Sequence, residues 1–253
     1  MSAQVMVRMK TEDTGGPVVE LRRYRLQPGT REDLIGLFEE AFIEPQEAAG
    51  MQVIGQFRDP DDPDAFVWLR GFADMETRAR GLADFYGGPV WAAHRDRANG
   101  TMVNSDNVLL LRPALLGGGF ALPDRLDDDA AGQRSGLVVA TTCSLAPHTD
   151  ADFSAFFEAS VRPALTAAGA RVLATFVTER SPNTFPRLPV REDETVFVWF
   201  SGFADEAAYN RHRADLARSQ AWTAEAWPEI ERRTWRPSEV TRLVPTARSL
   251  LRG

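Results

Sequence analysis

The sequence predicts an α+β fold built from two tandem copies of one unit, and three observations lead to this prediction. The chain has 253 residues, 43% of them hydrophobic and 26% charged, which is close to the globular average and enough for two ordinary domains. Residues of the first half recur in the second half in the same order. Each half also alternates strand-like and helix-like patterns. A fibrous or largely disordered chain is therefore excluded.

The internal repeat becomes visible when the sequence is shifted against itself. Nine identities align at an offset of 119 residues, from Leu26 on Leu145 to Phe57 on Phe176. Seven more align at an offset of 131, from Val67 on Val198 to Trp91 on Trp222. The difference between the offsets, 131 minus 119, places a 12-residue insertion in the second copy. A colinear series with one gap indicates duplication of a whole structural unit.

The duplication divides the chain into five segments. We expect a flexible tail at 1–17, a first repeat at 18–114, a linker at 115–136, a second repeat with the insertion at 137–247, and a short tail at 248–253. Three consecutive glycines and three consecutive aspartates in the linker predict a solvated connection.

The first half of each repeat reads strand, helix, strand. In the first copy, the strand from Val18 to Leu26 stops at Pro28, and Thr30 with Asp33 suggests a capping box for the following helix. An apolar stripe at helical spacing follows, made of Leu34, Leu37, Phe38, Ala41 and Phe42. Gly50 suits the left-handed position after a helix, so the second strand is expected at 51–58.

The second half of the repeat reads strand, helix, strand. An aromatic-rich strand is expected at 66–72, after a turn rich in proline and aspartate. Asp74 can cap a helix that runs to about Phe85, and Pro89 can sit in the first turn of a further helix. The last strand is expected at 107–112.

This order of elements is a split βαβ pair, the ferredoxin-like unit. One such sheet carries helices on one face only, so its other face must also be buried. Two tandem units can bury these faces against each other. The sequence therefore predicts two tandem ferredoxin-like units forming a dimeric α/β barrel within one chain, and two chains could associate further as a homodimer.

Composition excludes several classes of function. Of the 29 basic residues, 28 are arginine and only Lys10 is lysine, which argues against Schiff-base chemistry and a P-loop. The net charge of −7 includes no basic run for nucleic acid. No apolar stretch could span a membrane or serve as a signal peptide. A single Cys143 excludes a cysteine-rich metal site. We expect a cytoplasmic protein with no cofactor, metal, nucleic-acid or membrane partner.

Four segments resemble the NIPSNAP family. They are 20–29 (ELRRYRLQPG), 85–91 (FYGGPVW) with the following His94 and Arg95, 105–111 (SDNVLLL) and 183–189 (NTFPRLP). The resemblance extends over nearly all of 18–247 and implies the dimeric α/β barrel fold. It implies little about chemistry. Relatives at the level of the fold include cofactor-free monooxygenases and haem-binding enzymes, which is fold analogy and does not establish a function.

The two copies differ most on the first strand. Glu20, Arg22 and Tyr24 alternate and therefore share one face, whereas the second copy has Val139, Thr141 and Cys143 there, the last a small hydrophobe suited to burial. The polar face could be a solvated sheet edge, a structural ion pair, or a cluster inside the barrel in which Arg22 binds an acidic or phenolic ligand.

Histidine and tyrosine are the candidate proton-transfer groups. His94 follows Trp91 by one helical turn, and its unperturbed pKa suits a general base. The alternative is a surface or capping histidine beside Arg95. The catalytic candidates are His94, Tyr24 and Tyr86. His148 and His212 are expected to be exposed.

Aromatic and loop residues complete the candidate ligand site. Trp68 and Trp199 occupy matching strand positions and either pack in the core or wall an apolar pocket. The prolines of the insertion predict an ordered extended loop that folds over the barrel or across a subunit interface, with Phe185 or Leu188 buried; the alternative is a surface decoration. The ligand-binding candidates are Arg22, Trp68, Trp91, Arg95, Asn183, Phe185, Arg187 and Trp199.

These candidates support three functional hypotheses. The first is a small-molecule-binding barrel for a hydrophobic or anionic metabolite, with the further option of cofactor-independent proton-transfer catalysis. The second is a non-catalytic scaffold for protein interaction, which a solid barrel would favour. The third is a haem-handling protein, which an absorbance band on adding haem would favour.

Overall fold

The computed structural model describes residues 18–123, 125 and 136–253. The predicted tail 1–17 and half of the predicted linker, residues 124 and 126–135, lie outside this range. In the first repeat the strands are β1 (Val18–Leu26), β2 (Gln52–Arg58), β3 (Ala65–Phe72) and β4 (Met102–Pro113). The helices are α1 (Arg31–Leu37, continuing through π-helical Phe38–Phe42 to Ile43–Ala48), α2 (Met75–Gly87) and α3 (Pro89–Gly100).

The second repeat has the same elements in the same order. Its strands are β5 (Leu137–Leu145), β6 (Arg171–Thr178), β7 (Thr195–Phe203) and β8 (Glu239–Pro245). Its helices are α4 (Asp150–Phe156, π-helical Phe157–Val161, then Arg162–Ala167), α5 (Glu206–Arg218) and α6 (π-helical Ala221–Ala226, then Trp227–Arg233). In the part of the chain that the structure covers, no helix is both long and apolar enough to cross a membrane.

The eight strands close into one antiparallel barrel with the order β1-β3-β2-β8-β5-β7-β6-β4. Each repeat contributes a four-stranded sheet with the ferredoxin-like order, β4-β1-β3-β2 and β6-β7-β5-β8. The repeats meet at two short seams: Phe57 and Arg58 pair with β8, and Leu111 to Pro113 pair with β6. The predicted fold, two tandem ferredoxin-like units forming a barrel within one chain, is confirmed.

Three hydrophobic cores hold the fold together. One fills the barrel lumen, and each of the other two lies between a sheet and the helices of its own repeat. The lumen is packed with buried side chains from both repeats, including Phe57, Phe176 and Phe200. Among the described residues it leaves a cavity of about 40 Å³ near Leu21 and Leu243. The lumen is thus a solid core.

Local details differ from the sequence expectation at two places. Thr30 does not cap α1 with its side chain; its hydroxyl donates instead to the carbonyl oxygens of Gln27 and Thr101. Strand β4 begins five residues before the predicted 107, because its first half pairs with the end of β1. Asp74 does cap α2, accepting from the Thr77 N–H at 2.7 Å, and Gly50 has a positive φ of 83°.

The described part of the predicted linker does not behave as a solvated connection throughout. Leu116 is exposed, but Phe120 is buried in the lumen core, with ring centroids 5.0 Å from both Phe176 and Phe200. Arg125 pairs with Glu47 on α1. At the C-terminal end, Leu251 is buried in the same lumen core. Segments on both sides of the second repeat therefore help to close one end of the barrel.

Replacing Phe120 by alanine should destabilise the protein by about 3–5 kcal/mol, because a buried aromatic ring is lost from a packed core. The matched control is Leu116→Ala in the same segment, where the exposed side chain should contribute less than about 0.5 kcal/mol. Urea unfolding followed by circular dichroism measures both. Equal effects of the two substitutions would contradict the assignment of Phe120 to the core.

Candidate functional site

The polar face of β1 points toward the helices of the first repeat. Tyr24 lies in the core between sheet and helices, and Val19 of the same strand lies in the lumen core. Because strand side chains alternate, Glu20 and Arg22 share the helix-facing side with Tyr24. The hypothesis of a polar cluster inside the barrel is therefore wrong, and so is that of a solvated edge, because Glu20 and Arg22 are fully buried.

Glu20 is the centre of a buried ion cluster with three arginines. Its Oε2 accepts from Arg22 Nη1 at 2.8 Å and from Arg70 Nε at 2.7 Å. Its Oε1 accepts from Arg78 Nε at 2.7 Å, with Arg78 Nη2 also 2.7 Å away. All four side chains have no exposed surface. Three guanidinium charges against one carboxylate leave a formal charge of +2 in this cluster.

The cluster keeps Glu20 ionised. Burial alone would raise the pKa of this carboxyl, but Arg70, Arg22 and Arg78 outweigh burial and hold the pKa well below its usual range. Burial is the largest influence on Arg78 and lowers the pKa of its guanidinium. Arginine nevertheless stays protonated in proteins, so the excess positive charge persists.

A row of buried polar groups without partners crosses three neighbouring strands. Arg22 on β1 stands opposite Trp68 on β3, which stands opposite Gln56 on β2. Directly opposed residues share a face of the sheet, so all three point toward the helices. Arg22 Nη2, Trp68 Nε1 and both amide atoms of Gln56 have no hydrogen-bond partner, and neither does the Nη2 atom of Arg70. Buried polar groups are rarely left unpaired, so this concentration requires an explanation.

Aromatic rings surround this row. The Arg22 and Arg70 guanidinium carbons lie 5.6 Å and 4.9 Å from the ring centroid of Trp68, and Tyr24 packs edge-on against Trp68 at 6.0 Å. The Tyr24 hydroxyl accepts from Arg22 Nε at 2.9 Å. Burial raises the pKa of Tyr24, which Arg22 partly opposes, so the phenol keeps its proton at neutral pH. Phe38 also packs against Trp68, with the two ring centroids 4.8 Å apart.

The outer end of the site is a half-buried aromatic group on α2 and α3. The Tyr86 hydroxyl lies 3.5 Å from Arg70 Nη1, and its ring packs against Trp91 at 4.8 Å. His94 is half-buried and packs edge-on against Phe42 at 6.2 Å. Within the described chain, no hydrogen bond joins His94 to Tyr24, Arg22 or Tyr86. A role for His94 as general base stays a prediction.

The inserted loop of the second repeat lies over this site. Residues 179–194 between β6 and β7 contain no helix or strand. Arg78 Nη1 donates to Asn183 Oδ1 at 3.0 Å and to Thr184 Oγ1 at 3.2 Å, and Phe185 stacks on Tyr86 at 6.0 Å. Phe185 and Leu188 are half-buried against the first-repeat core, not fully buried. The loop thus folds over the helix layer of the first repeat.

Several predicted residues lie elsewhere. Trp199 is buried in the equivalent core of the second repeat, and Arg95 is exposed beside Asp96. Arg187 is exposed and stacks over Phe185. His148 is exposed as expected, but the prediction that His212 is exposed was wrong.

His212 is buried because the helix α5 turns it toward the sheet. Its Nδ1 lies 2.9 Å from the Ala168 carbonyl oxygen, and its ring packs against Phe203 at 4.9 Å. Burial lowers the pKa of this ring. Cys143 is also buried, as predicted, which raises the pKa of its thiol to about 11.

Sequence reasoning missed Arg70, Arg78 and Gln56. Their counterparts in the second repeat are Ser201, Tyr209 and Thr175, so the same copy-to-copy comparison that selected Arg22 could have found them. Arg70 also shares a strand face with Trp68 at a spacing of two residues. In the second repeat, the equivalent row carries no charge. The ion cluster is a property of the first repeat alone.

Replacing Glu20 by glutamine should destabilise the protein by about 3–5 kcal/mol at neutral pH, because three buried guanidinium groups lose their carboxylate. The pKa of Glu20 is lower in the folded protein than in the unfolded chain. Its stabilisation is therefore complete above the unfolded pKa of about 4.3 and is lost as the pH falls below it. Denaturant unfolding should show that the difference in free energy of unfolding between wild type and Glu20→Gln shrinks from pH 7 to pH 2. A constant difference across this range would contradict the assignment.

Comparison with known proteins supports the fold and the family of the first repeat. Residues 19–115 match the NIPSNAP family model. No curated protein matches the chain. Among solved structures, the chain is similar to a candidate monooxygenase from Lactobacillus acidophilus NCFM, with a TM-score of 0.56, 13% identity, and coverage of 91% of this chain and 94% of that chain.

Two further structures show the same fold. A candidate monooxygenase from Fusobacterium nucleatum subsp. nucleatum ATCC 25586 gives a TM-score of 0.56 at 11% identity, covering 91% of this chain and 93% of its own. An anthrone oxidase-like protein gives a TM-score of 0.53 at 14% identity, covering 93% of this chain and 92% of its own. At these identities the likeness concerns the fold alone. The match to the family model, which spans β1 to β4, identifies the first repeat of this chain as a NIPSNAP domain.

Proposed function

We propose that this protein binds a small organic anion between the sheet and the helices of its first repeat. The observation that carries the proposal is the buried row of unpartnered polar groups beside an ion cluster with a formal charge of +2. An uncompensated buried charge and unpaired buried donors are both unfavourable. An anion that accepts from Arg22, Arg70 and Trp68 would remove both penalties at once.

The hydrogen-bond donors of this row indicate which charged group the ligand carries. Arginine forks bind planar carboxylates well, and the indole N–H of Trp68 can only donate. The phenol of Tyr24 adds a further proton donor, because its pKa is raised by burial. The surrounding rings of Trp68, Tyr24 and Phe38 favour an apolar or aromatic remainder. The donors and rings of this region therefore match the chemistry of a small aromatic carboxylate best.

The name of one fold relative mentions an aromatic compound, although not an anionic one. Anthrone, which gives that relative its name, is an aromatic ketone, so aromatic compounds are suitable first probes. Turnover of the ligand is a further step of the proposal. Tyr24 or Tyr86 would then donate a hydrogen bond or a proton, and His94 at the outer end would exchange protons with solvent.

A non-catalytic scaffold is the second candidate, and the filled lumen favours it. A scaffold needs the ion cluster only for stability, so anions would not bind there. Native mass spectrometry of the purified protein gives a first distinction, since a co-purified organic acid supports binding. The variants described next give the second distinction.

Arg22→Gln should lower the affinity for phenylacetate at least about tenfold, because one charged donor to the carboxylate is lost. The matched control is Arg25→Gln on the same strand, where the side chain is exposed and the change in net charge is the same. Isothermal titration calorimetry measures both. Phenylacetamide, which has the same shape without the charge, should bind wild type weakly.

Two results would contradict the proposal. One is the absence of heat with phenylacetate and with a panel of other aromatic carboxylates for a folded wild-type protein. The other is an equal loss of affinity in Arg22→Gln and Arg25→Gln, which would indicate general charge attraction. Circular dichroism confirms that each variant is folded before the titration.

Thr184→Val should speed both association and dissociation of phenylacetate several-fold, because the loop loses its hydroxyl contacts with Arg78 and with the Met75 carbonyl oxygen. Ser181→Ala on the same loop removes an exposed hydroxyl and serves as the control. Stopped-flow tryptophan fluorescence reports the rates. Unchanged rates in Thr184→Val would show that the loop does not control access.

A further inference from the structure

We infer that Gln56 selects the ligand, and that the ligand is a hydroxycarboxylate: an organic acid with a hydroxyl group close to its carboxylate. The inference rests on the proposed anion site and names the class of compound that the site takes. It is carried by the amide of Gln56, which neither the ion cluster nor the hydrophobic core uses.

No contact of the Gln56 side chain within the described chain explains why this polar residue is buried. Its side chain has no exposed surface, and neither its amide oxygen nor its amide nitrogen has a partner. Its backbone, in contrast, is fully engaged: its N–H donates to Ser249 Oγ, and its carbonyl oxygen accepts from the Thr246 N–H. A leucine or methionine would fill the same volume without burying two unpaired polar atoms.

The other buried glutamine of this region, Gln46, has a structural role. Gln46 on α1 accepts from Arg70 Nη1 at 3.1 Å and donates to the Phe42 carbonyl oxygen at 3.1 Å. Both ends of that amide are satisfied inside the protein. The contrast indicates that the partners of Gln56 come from outside the chain.

The position of Gln56 defines what the partner must be. Gln56 stands opposite Trp68, whose indole N–H is also unpartnered, and Trp68 stands opposite Arg22. Directly opposed side chains are about 5 Å apart at Cβ. A ligand whose carboxylate binds Arg22 and Trp68 therefore places its neighbouring atoms beside Gln56. A hydroxyl there can donate to the amide oxygen and accept from the amide nitrogen, which satisfies both atoms.

The test compares mandelate with phenylacetate, which differ by one α-hydroxyl. Wild type should bind one enantiomer of mandelate about tenfold or more tightly than phenylacetate, because only the hydroxyl satisfies the amide. In Gln56→Met this ratio should fall to about one. The control is Gln27→Met in an exposed turn, which should keep the wild-type ratio. Isothermal titration calorimetry measures all the affinities.

Unfolding without ligand provides a second readout. Gln56→Met should leave the urea midpoint unchanged or raise it, whereas Gln46→Met should lower it, because only Gln46 has partners within the protein. Wild type that binds mandelate and phenylacetate equally would overturn the inference and leave the anion site standing. A lowered midpoint in Gln56→Met would overturn it as well. Failure of both acids to bind would instead contradict the anion site itself.

Discussion

The balance of charge around Glu20 is the constraint on which the first repeat depends. One carboxylate receives three arginines from β1, β3 and α2, in a place that water does not reach. Such an arrangement holds a sheet and a helix together, yet it leaves positive charge and several donors unsatisfied. The same cluster therefore forms part of the anion site that we propose.

The two repeats share their architecture but differ in the charge of one row of side chains. Both repeats share strand order and a π-helical turn at the same place in the first helix. The second repeat keeps an uncharged row of Thr141, Trp199 and Thr175 where the first has Arg22, Trp68 and Gln56. Its additional loop reaches over the first repeat and contacts Arg78. The second repeat thus contributes four strands of the barrel and the loop over the first repeat, and the first contributes the ion cluster.

The barrel lumen is filled with side chains. Phe57, Phe120 and Phe200 come from different segments of the chain and pack the interior as an ordinary core. The packed interior therefore leaves little room for a small molecule within the lumen. Between sheet and helices, the first repeat buries an ion cluster, whereas the matching row of the second repeat carries no charge.

The sequence by itself determined the architecture, because strand and helix periodicity, breakers and the repeat are local properties of the chain. It also showed that Arg22 and Tyr24 share a face, since side chains alternate along a strand. Only the tertiary structure decided which face is inward, and it brought together Glu20, Arg70, Arg78 and Gln56, which are separated by up to 58 residues. Burial of His212 and of Phe120 was likewise decided by packing. Whether a polar group finds a partner depends on contacts between distant segments, and no local pattern encodes those contacts.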